Sequence, residues 1–177
     1  MHLTTPFLLL FIFASSTYAQ VYKTSTQKPA IKSLYINKTG EKFFSNIIQL
    51  NSNEVLQIKF DEMSHATRSY SYTVIHCNAN WTKSNLQTNE YIEGFTSNQI
   101  HQHQQSSNTT HLYTNYKFEI PNNDMRFKIS GNYVVLIYED NNPENAVAQV
   151  CFSIYEPRIG IDTKIRSNTD IELNGRL

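Results

Sequence analysis

The stretch SGNYVVLIYED, Ser130 to Asp140, holds an unbroken apolar and aromatic run from Tyr133 to Tyr138. A strand that is apolar on both faces belongs in the middle of a sheet covered on both sides. Val147 to Tyr155 follows as a further strand, with Ala148, Val150, Phe152 and Ile154 as its apolar face. The interval Asp140 to Asn145, with Pro143, has turn composition, so the two runs are expected to pair across it. Gly131-Asn132-Tyr133 opens the first run, where an immunoglobulin-type sandwich places a tyrosine corner. An ordinary aromatic strand residue fits the same three letters.

Outward from this pair, several segments alternate with period two, the pattern of half-buried strands. Between Leu112 and Ile120, Leu112, Tyr116, Phe118 and Ile120 share one face, and Asn115, Lys117 and Glu119 the other. From Val55 to Phe60, Leu56, Ile58 and Phe60 oppose Gln57 and Lys59. Ile31 to Asn37, Ile47 to Leu50 and Tyr70 to Cys77 are further strands. Thr39-Gly40-Glu41 and Pro121 to Asp124 carry turn chemistry. No segment shows an apolar stripe at helical spacing, so at most short helical turns are expected. Eleven Tyr and ten Phe against five Gly also favour strands. The predicted fold is all-β: an antiparallel, immunoglobulin-like β-sandwich of about seven strands.

Phe7 to Phe13 is an apolar run followed by Thr17-Tyr18-Ala19, the pattern of a secretory signal peptide over residues 1–19. It is shorter than the roughly 20 residues that span a bilayer. A buried N-terminal strand is the alternative. Cleavage leaves 158 residues of the 177, with one sandwich domain over 20–156, and the mature chain is expected to be soluble. Beyond Pro157, Ile159-Gly160-Ile161-Asp162 reads as the opening of another unit, so 157–177 is a linker or the start of a truncated second domain. Fifteen basic and fifteen acidic residues give no electrostatic footprint for nucleic acid or an anionic membrane. Cys151 shares a polar face with Gln149 and Ser153, opposite Ala148, Val150, Phe152 and Ile154. A disulfide to Cys77 across the core needs both thiols inward, so two unpaired thiols are expected.

Searched for chemistry, the chain offers little. His101-Gln102-His103 would need a third ligand to hold a metal, and a solvated loop suits this Gln- and Asn-rich tract better. His76 and Cys77 point to opposite faces of a strand and cannot pair, which leaves a structural thiol beside a hydrogen-bonded imidazole. Asp61-Glu62, Glu139-Asp140 and Glu156 fall at strand ends and read as solvated, with no two held at a catalytic separation. There is no Gly-rich phosphate loop, nucleophile elbow or Cys-x-x-Cys pair. The expectation is a protein with no enzyme activity, cofactor, metal or small-molecule substrate.

The interval Asn78 to Thr110 shows no clean strand and holds the sole Trp. Trp81, Tyr91 and Phe95 beside the amides of Asn78 and Asn80 are the candidate partner-binding residues, because large rigid side chains anchor interfaces and amides hydrogen-bond across them. These aromatics folding inward to cover one end of the sandwich is the competing reading. An exported carbohydrate-binding or adhesion module is the second functional reading, and it requires exposed, coplanar rings at Trp81, Tyr91 and Phe95.

IHCNANW at 75–81, NEYIEGF at 89–95, NTTHLYTNYKFEIPNNDMRFKISGNY at 108–133, SGNYVVLIYED at 130–140 and EPRIGI at 156–161 resemble the N-terminal domain of the type IX secretion system plug proteins of Bacteroidetes. The resemblance implies a periplasmic protein, monomeric when free, that docks on the outer-membrane translocon barrel. There it closes the periplasmic entrance while no cargo moves, by steric occlusion without bond chemistry. Family members carry a second, C-terminal domain, of which this chain holds at most the beginning.

Overall fold

The structure, a computed structural model, describes residues 20–164; the expected signal peptide at 1–19 and residues 165–177 lie outside the described residues. The elements run β1 (Ser25–Thr26), β2 (Ile31–Lys38), β3 (Ile47–Gln49), β4 (Leu56–Glu62), β5 (Tyr70–Cys77), the single-turn helix α1 (Thr88–Tyr91), β6 (Ile92–Gly94), β7 (Ser97–Gln99), β8 (Gln102–Gln105), β9 (Thr114–Ile120), β10 (Met125–Phe127), β11 (Gly131–Glu139) and β12 (Ala146–Tyr155). The larger sheet has the order β1-β12-β11-β5-β7, with β3 added in parallel beside the last residues of β12. The smaller sheet is β2-β4-β9-β8, and β6 and β10 form a separate two-stranded antiparallel sheet. The two sheets face each other as an all-β sandwich.

All seven strands expected from period and composition are present, and β11 sits between β12 and β5 as its two-faced pattern requires. The interval Asn78 to Thr110, expected to hold no strand, contains α1, β6, β7 and β8. These are short and polar, and their backbone pairing is imposed by neighbours already in place. Leu112 also departs from expectation. The strand starts at Thr114, where pairing with Glu62 begins, and Leu112 is 53% exposed. Thr114 takes the buried position, its hydroxyl donating to the Ser64 carbonyl at 2.8 Å.

Aromatic rings pack within each sheet and, through Tyr70 and Tyr72, across to the other. Phe60 stacks on Tyr116 at 5.1 Å, and Tyr70 meets both edge-on at 5.3 and 4.9 Å. Tyr72 stacks on Phe118 at 4.3 Å, and Tyr133 on Phe152 at 5.5 Å. Each fully buried ring contributes about 1.5–3 kcal/mol by leaving water, and favourable ring geometry adds about 0.5–1.5 kcal/mol per pair. The Tyr133 hydroxyl donates to the carbonyl of Ile129, four residues back, at 2.8 Å. Between the two sequence readings of Gly131-Asn132-Tyr133, the tyrosine corner is the one realised.

Tyr133→Phe should therefore lower the unfolding free energy by about 1–3 kcal/mol, because the Ile129 carbonyl loses its donor in a buried setting. Urea denaturation with an unchanged m-value checks this, and a variant as stable as the parent would remove the corner's role.

Candidate partner-binding site

The turn after β5 is built by its own asparagines. Asn78 Nδ2 donates to Thr82 Oγ1 at 3.1 Å and to the Lys83 carbonyl at 3.3 Å, and the Asn78 carbonyl accepts the Trp81 N–H at 2.9 Å. Asn80 Oδ1 accepts the N–H and hydroxyl of Thr82 at 3.3 and 2.7 Å. Both side chains are exposed, yet their polar atoms are engaged within the turn. Trp81 is held at φ +62°, a left-handed conformation that bulky residues avoid at a cost of about 1–3 kcal/mol. Its carbonyl accepts the Tyr22 N–H at 2.9 Å. Its half-buried ring packs on a cluster of Tyr22, Cys77, Val134 and Cys151 on the outer face of the larger sheet.

Tyr91 lies elsewhere. It is 3% exposed, in the main core between the sheets, with its hydroxyl 3.4 Å from the Val74 carbonyl. Phe95 follows β6 and is 67% exposed. Its N–H donates to the Asp124 carbonyl at 2.8 Å, and Gly94, at φ +97°, leaves no room for a Cβ beside that same carbonyl. The next carbonyl, of Thr96, accepts the Thr73 hydroxyl at 2.7 Å. Trp81 and Phe95 thus flank the outer side of β5, while Tyr91 lies on its inner side. A coplanar platform of three exposed rings, which sugar stacking would need, is not formed.

The thiols share the cluster under Trp81. β5 and β12 are separated by β11, so Cys77 and Cys151 stand two strand spacings, about 10 Å, apart, beyond the roughly 7 Å reach of a disulfide. Both are free and buried, and burial pushes each thiol up to about 11. The face expected to be polar is closed by the N-terminal segment. The Cys151 N–H donates to Thr24 Oγ1 at 3.0 Å, and Gln149 Nε2 to Ser25 Oγ at 3.1 Å. On the opposite face, burial lowers the His76 pKa against a hydrogen bond to the Ser130 backbone, while its buried Nδ1 has no partner. A Cβ on Gly131 would sit 2.5 Å from His76 Nε2.

Glu62 and Glu139 correct the expectation of solvated, unassociated acids. Glu62 is 2% and Glu139 8% exposed, and Arg68 bridges them, Nε to Glu62 Oε1 at 2.6 Å and Nη1 to Glu139 Oε1 at 2.7 Å. Lys28 Nζ holds Glu139 Oε2 at 2.9 Å, and Glu62 Oε2 is buried without a partner. The two carboxylates come from different sheets and meet only when the sheets stack. Burial raises the Glu62 pKa against the pull of Arg68, while hydrogen bonds from Lys28 and Arg68 lower that of Glu139. With three of four carboxylate oxygens on cations, the arrangement is a clamp between sheets. His101 and His103 lie on the exposed smaller-sheet edge, where His103 Nδ1 is 3.1 Å from the His101 carbonyl.

One surface group escapes the sequence reading. Phe43 is 83%, Phe44 66%, Ile47 47% and Tyr35 46% exposed, and Phe44 meets Tyr35 edge-on at 6.5 Å. The available signal was Lys42-Phe43-Phe44, an aromatic pair directly after a glycine turn and outside any alternating segment.

Residues 31–156 match the family model described as "Type 9 secretion system plug protein 1st domain". Among solved structures, the chain is similar to a hypothetical protein from Parabacteroides merdae ATCC 43184, crystallised at 2.30 Å. The two are 36% identical, with a TM-score of 0.74, over 76% of this chain and 34% of that one. The chain thus spans about a third of that protein's length. An alkylpurine DNA glycosylase of Pseudomonas fluorescens, bound to DNA with an abasic site analog, aligns at 9% identity and a TM-score of 0.34 over 71% of this chain and 30% of that one, too slight a likeness to carry an argument. No curated protein matches the chain.

Two outcomes follow from the geometry. Trp81→Ala should cost about 1–3 kcal/mol, since it uncovers half-buried apolar surface, and should speed the reaction of Cys77 and Cys151 with a thiol reagent in the native protein. Unchanged stability and unchanged thiol protection would show that the indole covers nothing. For Glu62, a raised folded-state pKa contributes stability below its ordinary value of 4.5 that is lost as pH rises through the folded value. Glu139 has the opposite sign, contributing above 4.5 and losing that contribution as pH falls through its lowered value. Glu62→Gln should therefore gain stability relative to the parent as pH rises from about 4 to 7. A pH-independent difference in urea unfolding would sink this assignment.

Proposed function

The chain belongs to the type 9 secretion system plug protein family, whose first domain covers its residues 31–156, and on that premise we propose that it is a non-catalytic periplasmic component of the type IX secretion system. In this reading it seats at the periplasmic entrance of the outer-membrane translocon barrel and closes it while no cargo moves. The family match carries the proposal. The physical form of the domain suits it: a compact body of this size is roughly 35 Å across, and its sheets are locked by the rings of Tyr70 and Tyr72 against Phe60, Tyr116 and Phe118. A rigid body closes a wide pore that side-chain gates cannot bridge. Occlusion needs a surface that binds and releases, and no bond chemistry.

The outer side of β5, with Trp81 and Phe95 and the asparagine turn at Asn78 and Asn80, is one proposed contact region, with Tyr91 supporting it from the core. The N-terminal residues 1–19 would act as the export signal. Affinity capture of the tagged protein from Bacteroidetes envelopes in mild detergent tests the proposal. Recovery of the translocon barrel is the expected result, and capture that returns other envelope proteins but never the barrel would defeat it.

A further inference from the structure

Eleven large hydrophobic side chains are exposed among the described residues, and four of them, Tyr35, Phe43, Phe44 and Ile47, belong to β2, β3 and the loop between them. We propose that this loop is an anchor for the secretion-system partner, inserting Phe43 and Phe44 into an apolar pocket rimmed by carboxylates. The inference rests on the plug reading and names the surface and the chemistry that would serve it.

The loop is fixed in shape before any partner arrives. Asn37 Nδ2 donates to the Glu41 carbonyl at 3.2 Å, Asn37 Oδ1 accepts the Ser45 N–H at 2.7 Å, and the Lys38 N–H donates to the Ser45 carbonyl at 2.8 Å. On the other side, Asn46 Nδ2 donates to the Cys151 carbonyl and the Asn46 carbonyl accepts the Ser153 N–H, both at 3.1 Å. The tip is therefore tied to β2 and to β12 while Lys42-Phe43-Phe44 faces water. A preorganised apolar tip binds without a large ordering cost. Trp81, by contrast, is already committed to covering Val134 and the thiols.

Charge selects the partner. Lys38 pairs with both Glu41 and Glu54, each at 3.0 Å, which leaves that trio with one net negative charge. Lys42 beside the rings, and Lys59 opposite Tyr35 in the smaller sheet, make no ion pair among the described residues. Set against that single negative charge, these two cations leave the rim net positive, which favours carboxylates across the interface. A second copy of this chain fits poorly, because a twofold contact brings the same net positive rim to both sides. A bilayer also fits poorly, since Phe44 leans on Tyr35 and Phe43 alone stands clear, a weak anchor by itself. The patch is smaller than the ~800 Å² per partner of a standard interface, so it serves as one anchor within a wider face.

The test measures binding of the full chain, of F43S/F44S and of K42E/K59E to the detergent-solubilised translocon barrel. F43S/F44S should bind at least about tenfold more weakly with an unaltered melting temperature, because both rings already face water. K42E/K59E should also weaken binding and reverse the sign of its salt dependence. Parent-like binding by F43S/F44S overturns this inference and leaves the plug reading standing, whereas failure of the parent chain to bind overturns both. Co-sedimentation of the parent chain with phosphatidylethanolamine–phosphatidylglycerol vesicles, lost in F43S/F44S, would overturn it by assigning the loop to lipid.

Discussion

β11 carries apolar side chains on both faces, and the rest of the molecule is arranged to keep both out of water. Tyr133, Val135 and Ile137 face the smaller sheet, where Phe118, Phe60 and Tyr116 complete the core. Val134, on the other face, lies between Ile75 and Cys151, clusters with Cys77, and has no second sheet to cover it. The cover is assembled from irregular parts: Tyr22 from the N-terminal segment, Thr24 and Ser25 over β12, and Trp81 from the turn after β5. The left-handed Trp81 follows from this demand, since its indole must lie over the sheet while its carbonyl pairs with Tyr22. Ordered residues before β2 are thus structural members of the domain.

A second constraint acts at one end of the sandwich. Tyr116 of the smaller sheet accepts the Arg68 N–H at 2.8 Å and donates to the Arg68 carbonyl at 3.2 Å. That grip sets the loop so that the guanidinium reaches Glu62 on β4 and Glu139 on β11 together. Buried carboxylates are costly without cations, and Arg68 and Lys28 offset that cost while joining both sheets and the chain between β1 and β2. The pair resembles catalytic carboxylates only in proximity, because the space between them is filled by an arginine.

These two constraints divide the surface. Where the outer face of the larger sheet must be shielded, aromatic residues are consumed by the fold. Where the chain passes from β2 to β3, nothing in the fold requires Phe43 and Phe44, and they stand in water on a braced loop. An aromatic residue that the fold does not use, held in a fixed place, has the features of a binding anchor.

The sequence by itself determined the sheet-forming segments and their faces, because period two is local and survives any packing: Leu56, Ile58 and Phe60 point inward as their alternation requires. It also determined the central place of Tyr133 to Tyr138 and, through long strings of resemblance, the family. Only the tertiary structure decided which side of a strand is buried once a second cover exists, so Cys151 and Gln149 are enclosed despite polar neighbours. It alone brought Glu62 to Glu139, since 77 residues separate them along the chain and stacking of the sheets sets their distance. It also sent Tyr91 inward and Phe95 outward, although both are aromatics of one polar-flanked interval. Local pattern fixes which face of a strand is apolar. What comes to lie against that face depends on distant segments, and no local pattern encodes them.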